Sequence, residues 1–313
     1  MKRARIAWQG AIHSVTPADN GHVRLADGRT LAEQDVVWLP PVEVGTVFAL
    51  GLNYADHAKE IAFNKAPEEP LVFLKGPNAL NGHRGHTRRT SDVTYMHFEC
   101  ELGVVIGKTC RNVKKEDAYS VVAGYVTAND YAIRDYLENF YRPNLRVKNR
   151  DGATPVGPWF VDAADIADPM NLRLRSWVNG ELKQDGNTGD MVHSIPSLIA
   201  HLSSFMTLNP GDLILTGTPD GVADSKVGDE IVTEIESMRR ARKWSASRIT
   251  FELRTDGITI ARRSVTKILR NLGLHRRRFI APNGETNRKP QVIVAKRPGQ
   301  MVHVDIKKVG KIL

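Results

Sequence analysis

Short apolar segments separated by turns, rather than long alternating strands and helices, make up residues 44–236 of this chain. The regular alternation that a doubly wound parallel sheet requires is missing. We therefore predict a mainly β fold with a few helices (α+β), of the sandwich or rolled-barrel type. The predicted strands are Val47–Leu50, Phe98–Ile106, Val121–Ala128, Leu172–Val178, Glu181–Gln184, Asp212–Thr216 and Glu230–Ile235.

Two dipeptides predict tight turns. Asn179-Gly180 lies between two predicted strands and is the strongest hairpin signal in the chain, and Asp27-Gly28 is a similar signal near the N-terminus. Residues 1–43 are too few for a core of their own, so we expect them to pack on the domain after them. The predicted N-terminal strands are Arg5–Ile12, His22–Ala26 and Thr30–Leu39, and the predicted helices before Ser237 are Asn53–Ala62, Asp135–Tyr141 and Ile195–Met206.

The charge of the chain changes sign near residue 236. Residues 237–313 contain 20 Lys and Arg against 4 Asp and Glu, whereas residues 1–236 contain 24 against 31. This contrast predicts two parts with different partners, an acidic body (residues 1–236) and a basic helical tail (237–313). Within the body we separate an N-terminal β segment (1–43) from a β-rich domain (44–236). In the tail we predict helices at Ser245–Arg254 and Arg262–Leu272 and a strand at Met301–Ile306.

The composition excludes several classes of protein. With 41% hydrophobic and 25% charged residues the chain resembles an ordinary globular protein. No apolar run approaches the length that a membrane-spanning helix needs, and the N-terminus lacks an apolar signal region, so we expect no membrane span and a cytoplasmic location. Only two cysteines are present, which argues against a disulfide framework or a thiolate zinc site.

A pair of glutamates at the start of an apolar strand is the main chemical feature. In His97-Phe98-Glu99-Cys100-Glu101 the strand period of two places both carboxylates on one face and Cys100 on the other. Two adjacent carboxylates repel each other and resist burial, and a divalent cation removes that conflict. The alternative is that both glutamates lie on a solvent-facing strand edge. The glutamate pair taken alone favours this alternative over a metal site.

Other polar residues carry weaker signals. Asp130 follows a predicted strand, where it could be a ligand or a helix N-cap. His57 and Glu60 share a helix face, as a general base and its orienting carboxylate would, although such pairs are usually surface residues. Arg134 could clamp an anion or lie on the surface. Lys148 in a polar loop and Thr218 in Thr216-Gly217-Thr218-Pro219 also have ordinary solvent or turn alternatives.

Taken together, these segments resemble the fumarylacetoacetate hydrolase family from Ala49 to Glu236. The motifs that carry the resemblance are GLNYADHAKE, EPLVFLKGPNAL, HFECELGVVIG, ANDYAIRDYLENFYRPNLRVKNRDG and NPGDLILTGTPDGV. The finer similarity is to enzymes of homoprotocatechuate breakdown, which decarboxylate 5-oxopent-3-ene-1,2,5-tricarboxylate and isomerise 2-hydroxyhepta-2,4-diene-1,7-dioate.

The resemblance implies a mixed β-sandwich roll, usually dimeric, and a metal-dependent decarboxylase or isomerase acting on a small 2-oxo or enol acid. The metal ligands would be Glu99, Glu101 and Asp130. Three oxygen ligands favour Mg²⁺ or Mn²⁺. The matched catalytic residues are His57, Glu60 and Lys148, and the matched substrate-binding residues are Arg134 and Thr218.

The tail departs from the family pattern. It resembles the N-terminal part of an insertion-sequence transposase, with helix-turn-helix sequence and Asp305 at the first acidic position of the catalytic core. We expect only weak, nonspecific nucleic-acid binding, and we expect the junction at Glu236–Arg239 to remove the closing strand and expose an unpaired strand edge. An acylpyruvate-type C–C hydrolase and an inactive fusion across an insertion junction stay as alternatives.

Overall fold

The computed structural model describes residues 1–60, 68–136, 144–236 and 307–312. Both predicted tail helices, the predicted strand Met301–Ile306 and the C-terminal ends of the predicted helices Asn53–Ala62 and Asp135–Tyr141 lie outside these residues. Residues 1–235 and 306–313 form one compact unit, and the second unit, Glu236–Asp305, lies almost entirely outside the described part.

The N-terminal half contains thirteen described strands and one described α-helix. They are β1 (Lys2–Trp8), β2 (Ala11–Pro17), β3 (His22–Leu25), β4 (Thr30–Ala32), β5 (Val37–Leu39), β6 (Val47–Gly51), α1 (Ala55–Glu60), β7 (Leu71–Lys75), β8 (Leu80–Asn81), β9 (His86–Thr87), β10 (Met96–His97), β11 (Cys100–Ile106), β12 (Val122–Asn129) and β13 (Ala132–Ile133).

The remaining described elements come after residue 143. They are α2 (Leu145–Lys148), β14 (Thr154–Pro155), β15 (Phe160–Asp162), β16 (Arg173–Val178), β17 (Glu181–Asn187), α3 (Ile195–Phe205), β18 (Leu213–Leu215), β19 (Glu230–Glu236) and β20 (Lys307–Ile312). The described residues also contain short 3₁₀ helices at Glu33–Asp35, Pro77–Ala79, Lys115–Val121, Arg134–Tyr136, Ala163–Asp165 and Thr188–Asp190.

Two large sheets organise these strands. The first has the order β4-β3-β2-β1-β15-β12-β11-β18-β6-β7, with β5 also paired to β1. The second has the order β17-β16-β19-β20-β9. The predicted β-rich fold with few helices is confirmed. The N-terminal strands join the first sheet through β1 and β15, as their small size led us to expect.

The core lies on both faces of β11 because its side chains alternate. Leu102, Val104 and Ile106 pack in one cluster with the apolar side of α3, including Ile195, Leu198 and Leu202, whereas Val105 belongs to a cluster on the opposite face. Burial of each such side chain contributes roughly 1.5–3 kcal/mol. The predicted helix 195–206 is thus confirmed. Ser194 caps it, its side chain accepting from the Ser197 N–H.

Both predicted tight turns are present. Asn179 and Gly180 have φ values of 50° and 85° between β16 and β17, and Gly28 has a φ of 89° between β3 and β4. Most predicted strands differ from the structure by one to three residues at an end, and two of them are interrupted. Arg5–Ile12 is broken by a turn at Gln9-Gly10, Thr30–Leu39 is broken by the 3₁₀ helix Glu33–Asp35, and the strand predicted from Phe98 begins at Cys100.

The expectation of an unpaired strand edge after Glu236 is wrong. β20, from the far end of the chain, pairs antiparallel with β19, and its other edge pairs parallel with β9. The second sheet is therefore closed at this position by residues 307–312. Among the described residues, no helix is both long enough and apolar enough to cross a membrane.

Candidate metal centre

Three buried carboxylates meet where β11 begins and β12 ends. Because these strands are antiparallel and Cys100 pairs with Asn129, Glu99 and Glu101 lie beside Asp130, which follows β12. The Asp130 N–H donates to the Glu99 carbonyl over 2.9 Å, which fixes this junction. One carboxylate oxygen from each of Glu99, Glu101 and Asp130 lies within 4.8 Å of the others. The solvent-facing alternative is wrong for this pair, since all three side chains are buried.

Two buried lysines balance part of this negative charge. Lys148 at the end of α2 donates to Glu99 Oε2 over 2.6 Å and to Asp130 Oδ2 over 2.9 Å. Lys75 at the end of β7 donates to Asp130 Oδ1. Burial would lower the pKa of Lys148, but Asp130 and Glu99 outweigh it and raise that pKa. For Lys75 burial prevails and lowers the pKa.

The two glutamates respond differently to burial. Burial raises the pKa of Glu101 well above its ordinary value, and the nearby charges of Asp130 and Glu99 raise it further. Burial would also raise the pKa of Glu99, but the positive charge of Lys148 and the hydrogen bond that it donates to Glu99 outweigh burial and lower that pKa. Glu101 is thus the carboxylate that the described protein groups compensate least.

An unsatisfied oxygen on Glu101 gives a test of whether a cation fits this cluster. Glu101 Oε2 accepts a hydrogen bond from the Gly217 N–H over 3.0 Å, whereas the buried Oε1 has no hydrogen-bond partner among the described residues. A buried carboxylate oxygen without a donor is costly, and a bound cation removes that cost. Three carboxylates and no sulfur ligand form a set suited to Mg²⁺ or Mn²⁺.

The predicted acid–base pair lies on α1. His57 Nδ1 lies 3.0 Å from Glu60 Oε2, and Glu60 Oε1 accepts from the Gly221 N–H over 3.0 Å. Since the carboxylate accepts, Nδ1 carries the proton and Nε2 is the basic nitrogen. His57 is buried.

The two predicted substrate-binding residues lie in different settings. Arg134 begins a 3₁₀ helix, is half-buried, and its charge acts on the pKa of His97. Thr218 is buried, and its hydroxyl donates to the Cys100 carbonyl over 3.0 Å while accepting from Gln184 Nε2 over 2.8 Å. Its one hydroxyl proton is therefore already committed within the protein.

Sequence reasoning missed three buried polar residues near the carboxylates. Lys75 lies in the FLKGPNAL motif and Gln184 lies on β17, and the sequence pattern assigns neither a role. His97 precedes the glutamate pair; burial lowers the pKa of its imidazole to about 4. The available signals were a lysine closing an apolar strand and a histidine in register with Glu99 and Glu101.

The fold and the carboxylate cluster define a β-rich protein with a candidate hard-cation centre. The chain belongs to the fumarylacetoacetate hydrolase family: the family model described as fumarylacetoacetate (FAA) hydrolase C-terminal matches residues 46–263. It is 62% identical over 196 residues to the homoprotocatechuate catabolism bifunctional isomerase/decarboxylase of Escherichia coli, covering 63% of this chain and 45% of that protein. The chain spans about half the length of the curated relatives it matches first.

Two solved structures extend the likeness. The 2-hydroxyhepta-2,4-diene-1,7-dioate isomerase of Mycobacterium marinum is 34% identical with a TM-score of 0.65, covering 76% of this chain and 94% of that one. A maleylpyruvate hydrolase from Sphingobium, in complex with manganese(II) and pyruvate, is 29% identical with a TM-score of 0.62, covering 75% and 95%. The resemblance to this family that the sequence motifs carry is confirmed.

Proposed function

We propose that this chain is a divalent-metal-dependent decarboxylase and isomerase of 2-oxo or 2-hydroxy dienoate di- and tricarboxylic acids in 4-hydroxyphenylacetate (homoprotocatechuate) degradation. The observation that carries the proposal is the buried carboxylate cluster with its unsatisfied Glu101 oxygen. The identity to the E. coli isomerase/decarboxylase supports the choice of reaction and substrate class.

Glu99, Glu101 and Asp130 would hold Mg²⁺ or Mn²⁺ in this site. The bound cation would supply the positive charge that stabilises an enolate, which both reactions require. Lys148 adds a second positive charge, since its ammonium already lies within hydrogen-bond distance of Glu99 and Asp130. The guanidinium of Arg134 suits a further carboxylate of a di- or tricarboxylic acid. Thr218, in the loop after β18, is the second residue that the family resemblance assigns to substrate binding.

His57 would move the proton in both reactions. In the isomerisation Nε2 takes a proton from one carbon, the electron pair enters the conjugated system, and the proton returns to a carbon two bonds away. In the decarboxylation the C–C bond to the leaving carboxylate breaks, CO₂ departs, and the electron pair left on carbon takes a proton from Nε2–H, which His57 has gained from solvent before the step. Glu60 holds the Nδ1–H throughout, so Nε2 stays aimed as donor and acceptor.

A C–C hydrolase of the acylpyruvate type is the second candidate, because the chain also resembles a maleylpyruvate hydrolase. The products distinguish the two. Decarboxylation with isomerisation releases CO₂ and shifts the double bond, whereas hydrolysis gives two acids and no CO₂.

The test uses the full chain, freed of metal with a chelator and then supplied with MgCl₂ or MnCl₂. We expect CO₂ release from 5-oxopent-3-ene-1,2,5-tricarboxylate and an absorbance change on the dienoate, both dependent on metal. Glu101→Ala should abolish both and weaken metal binding in calorimetry. Glu116→Ala, on an exposed 3₁₀ helix, is the matched control and should change neither.

Three outcomes would contradict parts of the proposal. Full metal affinity in Glu101→Ala would remove the metal assignment. Two acid products would replace the decarboxylase with the hydrolase. Metal binding without turnover of any dienoate or acylpyruvate would favour an inactive fusion that keeps the site.

A further inference from the structure

The peptide group between the two candidate metal-binding glutamates is held by side chains from two other segments. Cys100 separates Glu99 from Glu101. Its N–H donates to Gln184 Oε1 over 2.9 Å, and its carbonyl accepts from Thr218 Oγ1 over 3.0 Å. We propose that Gln184 is a positioning residue for the metal centre, acting with Thr218 to fix the Cys100 backbone; this inference rests on the proposed metal-dependent function.

Gln184 has no spare hydrogen-bonding capacity. It is fully buried on β17, and its amide offers two donors and an acceptor oxygen with two lone pairs. The oxygen accepts from the Cys100 N–H and from Ser176 Oγ, over 2.9 and 3.0 Å. The nitrogen donates to Thr218 Oγ1 and to the Pro219 carbonyl, over 2.8 and 2.9 Å. The site therefore requires an amide: a carboxylate lacks the donors and an apolar side chain lacks both functions.

The hydrogen bonds form a closed ring. Cys100 donates to Gln184, Gln184 donates to Thr218, and Thr218 donates back to Cys100. Each member of the ring makes two of its three hydrogen bonds, so removing any one member breaks two of them. Such a ring fixes one orientation of the Cys100 peptide more strongly than a single hydrogen bond would.

The orientation of this backbone decides where the carboxylates lie. Glu99 is fixed on its other side, because its N–H donates to Asn129 Oδ1 over 2.8 Å. Glu101 is fixed at its carboxylate, because the Gly217 N–H, one residue before Thr218, donates to Oε2. The ring completes this support between the two glutamates. Groups that orient metal ligands typically change metal affinity 10–100-fold when they are mutated.

The experiment measures the binding of Mn²⁺ to the chelator-treated full chain by calorimetry, with melting temperature and kcat recorded alongside. Gln184→Met keeps the side-chain length and removes all four hydrogen bonds. We expect its Kd for Mn²⁺ to rise 10–100-fold and its kcat to recover in large part at saturating Mn²⁺. Ser176→Ala is the matched control, because it removes one bond of Gln184 and leaves the ring intact; its Kd should stay within twofold of wild type.

Thr218 is the second side chain of the ring, so its variants test the proposal independently if Gln184→Met fails to fold. Thr218→Val should raise the Kd for Mn²⁺ as Gln184→Met does, and Thr218→Ser, which keeps the hydroxyl, should restore it. Unchanged Kd values in Gln184→Met or Thr218→Val, with a lower melting temperature, would overturn the positioning role and leave the metal site standing. A wild-type chain that binds no Mn²⁺ would overturn the metal centre and this inference with it.

Discussion

At the scale of single residues, the site is short of positive charge. Three carboxylates face two ammonium groups, and Glu101 keeps one oxygen without a donor among the described residues. Buried charges of this kind are tolerated only when they are paired or bind an ion. Because negative charge is in excess, the cluster is contacted by two lysines, Lys75 at the end of β7 and Lys148 at the end of α2.

His57 supports a prediction about catalysis. Its basic Nε2 and its Glu60 partner suit proton transfer, while neither belongs to the carboxylate cluster. We expect His57→Ala to lower kcat by roughly 10²–10⁴-fold and to leave the Kd for Mn²⁺ unchanged. Steady-state kinetics and calorimetry on the same preparation check this. His13→Ala, on β2, is the control histidine, and an unchanged kcat in His57→Ala would return His57 to a structural role.

The sequence allowed the carboxylates to be located because their spacing follows local rules. Glu99 and Glu101 lie two positions apart at the start of β11, so their side chains share a face, and the end of the next strand brings Asp130 to them. Lys75 and Gln184 follow no such rule. Lys75 lies 55 positions before Asp130 and Gln184 lies 84 positions after Cys100, so only the strand order of two sheets brings them to the site.

At the scale of elements, the placement of β20 is the main departure from expectation. It lies between β19 and β9, so it pairs on both edges. β9 is in turn tied to the segment after α2, since Thr87 Oγ1 donates to the Gly152 carbonyl over 2.8 Å. β20 is therefore linked, through β9 and the Thr87–Gly152 hydrogen bond, to the segment that follows Lys148 in the chain.

The contribution of β20 backbone pairing to stability can be tested by comparing a proline with an alanine at one position of β20. Lys308 pairs with Val232. Proline has no N–H and is disfavoured in a strand that pairs on both sides. We expect Lys308→Pro to lower the free energy of unfolding by about 1–3 kcal/mol. Thermal unfolding compares it with Lys308→Ala, which keeps the N–H. Equal melting temperatures for the two variants would show that β20 pairing adds nothing to stability.

Strand boundaries were predictable only where the turn has a chemical signature. Asn179-Gly180 and Asp27-Gly28 have such signatures, and the structure places hairpins at both. The break at Gln9-Gly10 was missed because Gln9 adopts a φ of 47°, which its side chain does not favour and which pairing of β1 with β2 imposes. The pairing of β20 was equally out of reach, because a partner strand so distant in sequence leaves no local pattern.

At the scale of the whole molecule, the excess of positive charge in residues 237–313 predicts how the chain binds nucleic acid. The 20 basic residues of positions 237–313 can contact phosphates without reading bases. We expect the full chain to bind duplex DNA weakly, without sequence preference, and much less at about 200 mM than at about 50 mM salt. Fluorescence anisotropy with two unrelated duplexes checks this, with a full-length chain in which Arg276, Arg277 and Arg278 are changed to Ala as control.

Two results would contradict that prediction. Tight, salt-resistant binding to one duplex over the other would show that the tail reads sequence. Equal binding by the variant with Arg276, Arg277 and Arg278 changed to Ala would show that this basic run is not part of the DNA-binding surface.

The long stretch of sequence between β19 and β20 also has a consequence for synthesis on the ribosome. Positions 237–306 must be translated before β20 exists. At about 5–20 residues per second this takes roughly 4–14 s, during which β19 and β9 both lack their partner. Neighbouring nascent chains on one messenger can pair through such open edges. The yield of folded protein in a cell should therefore depend on translation rate and chaperone supply as well as on the stability of the finished fold.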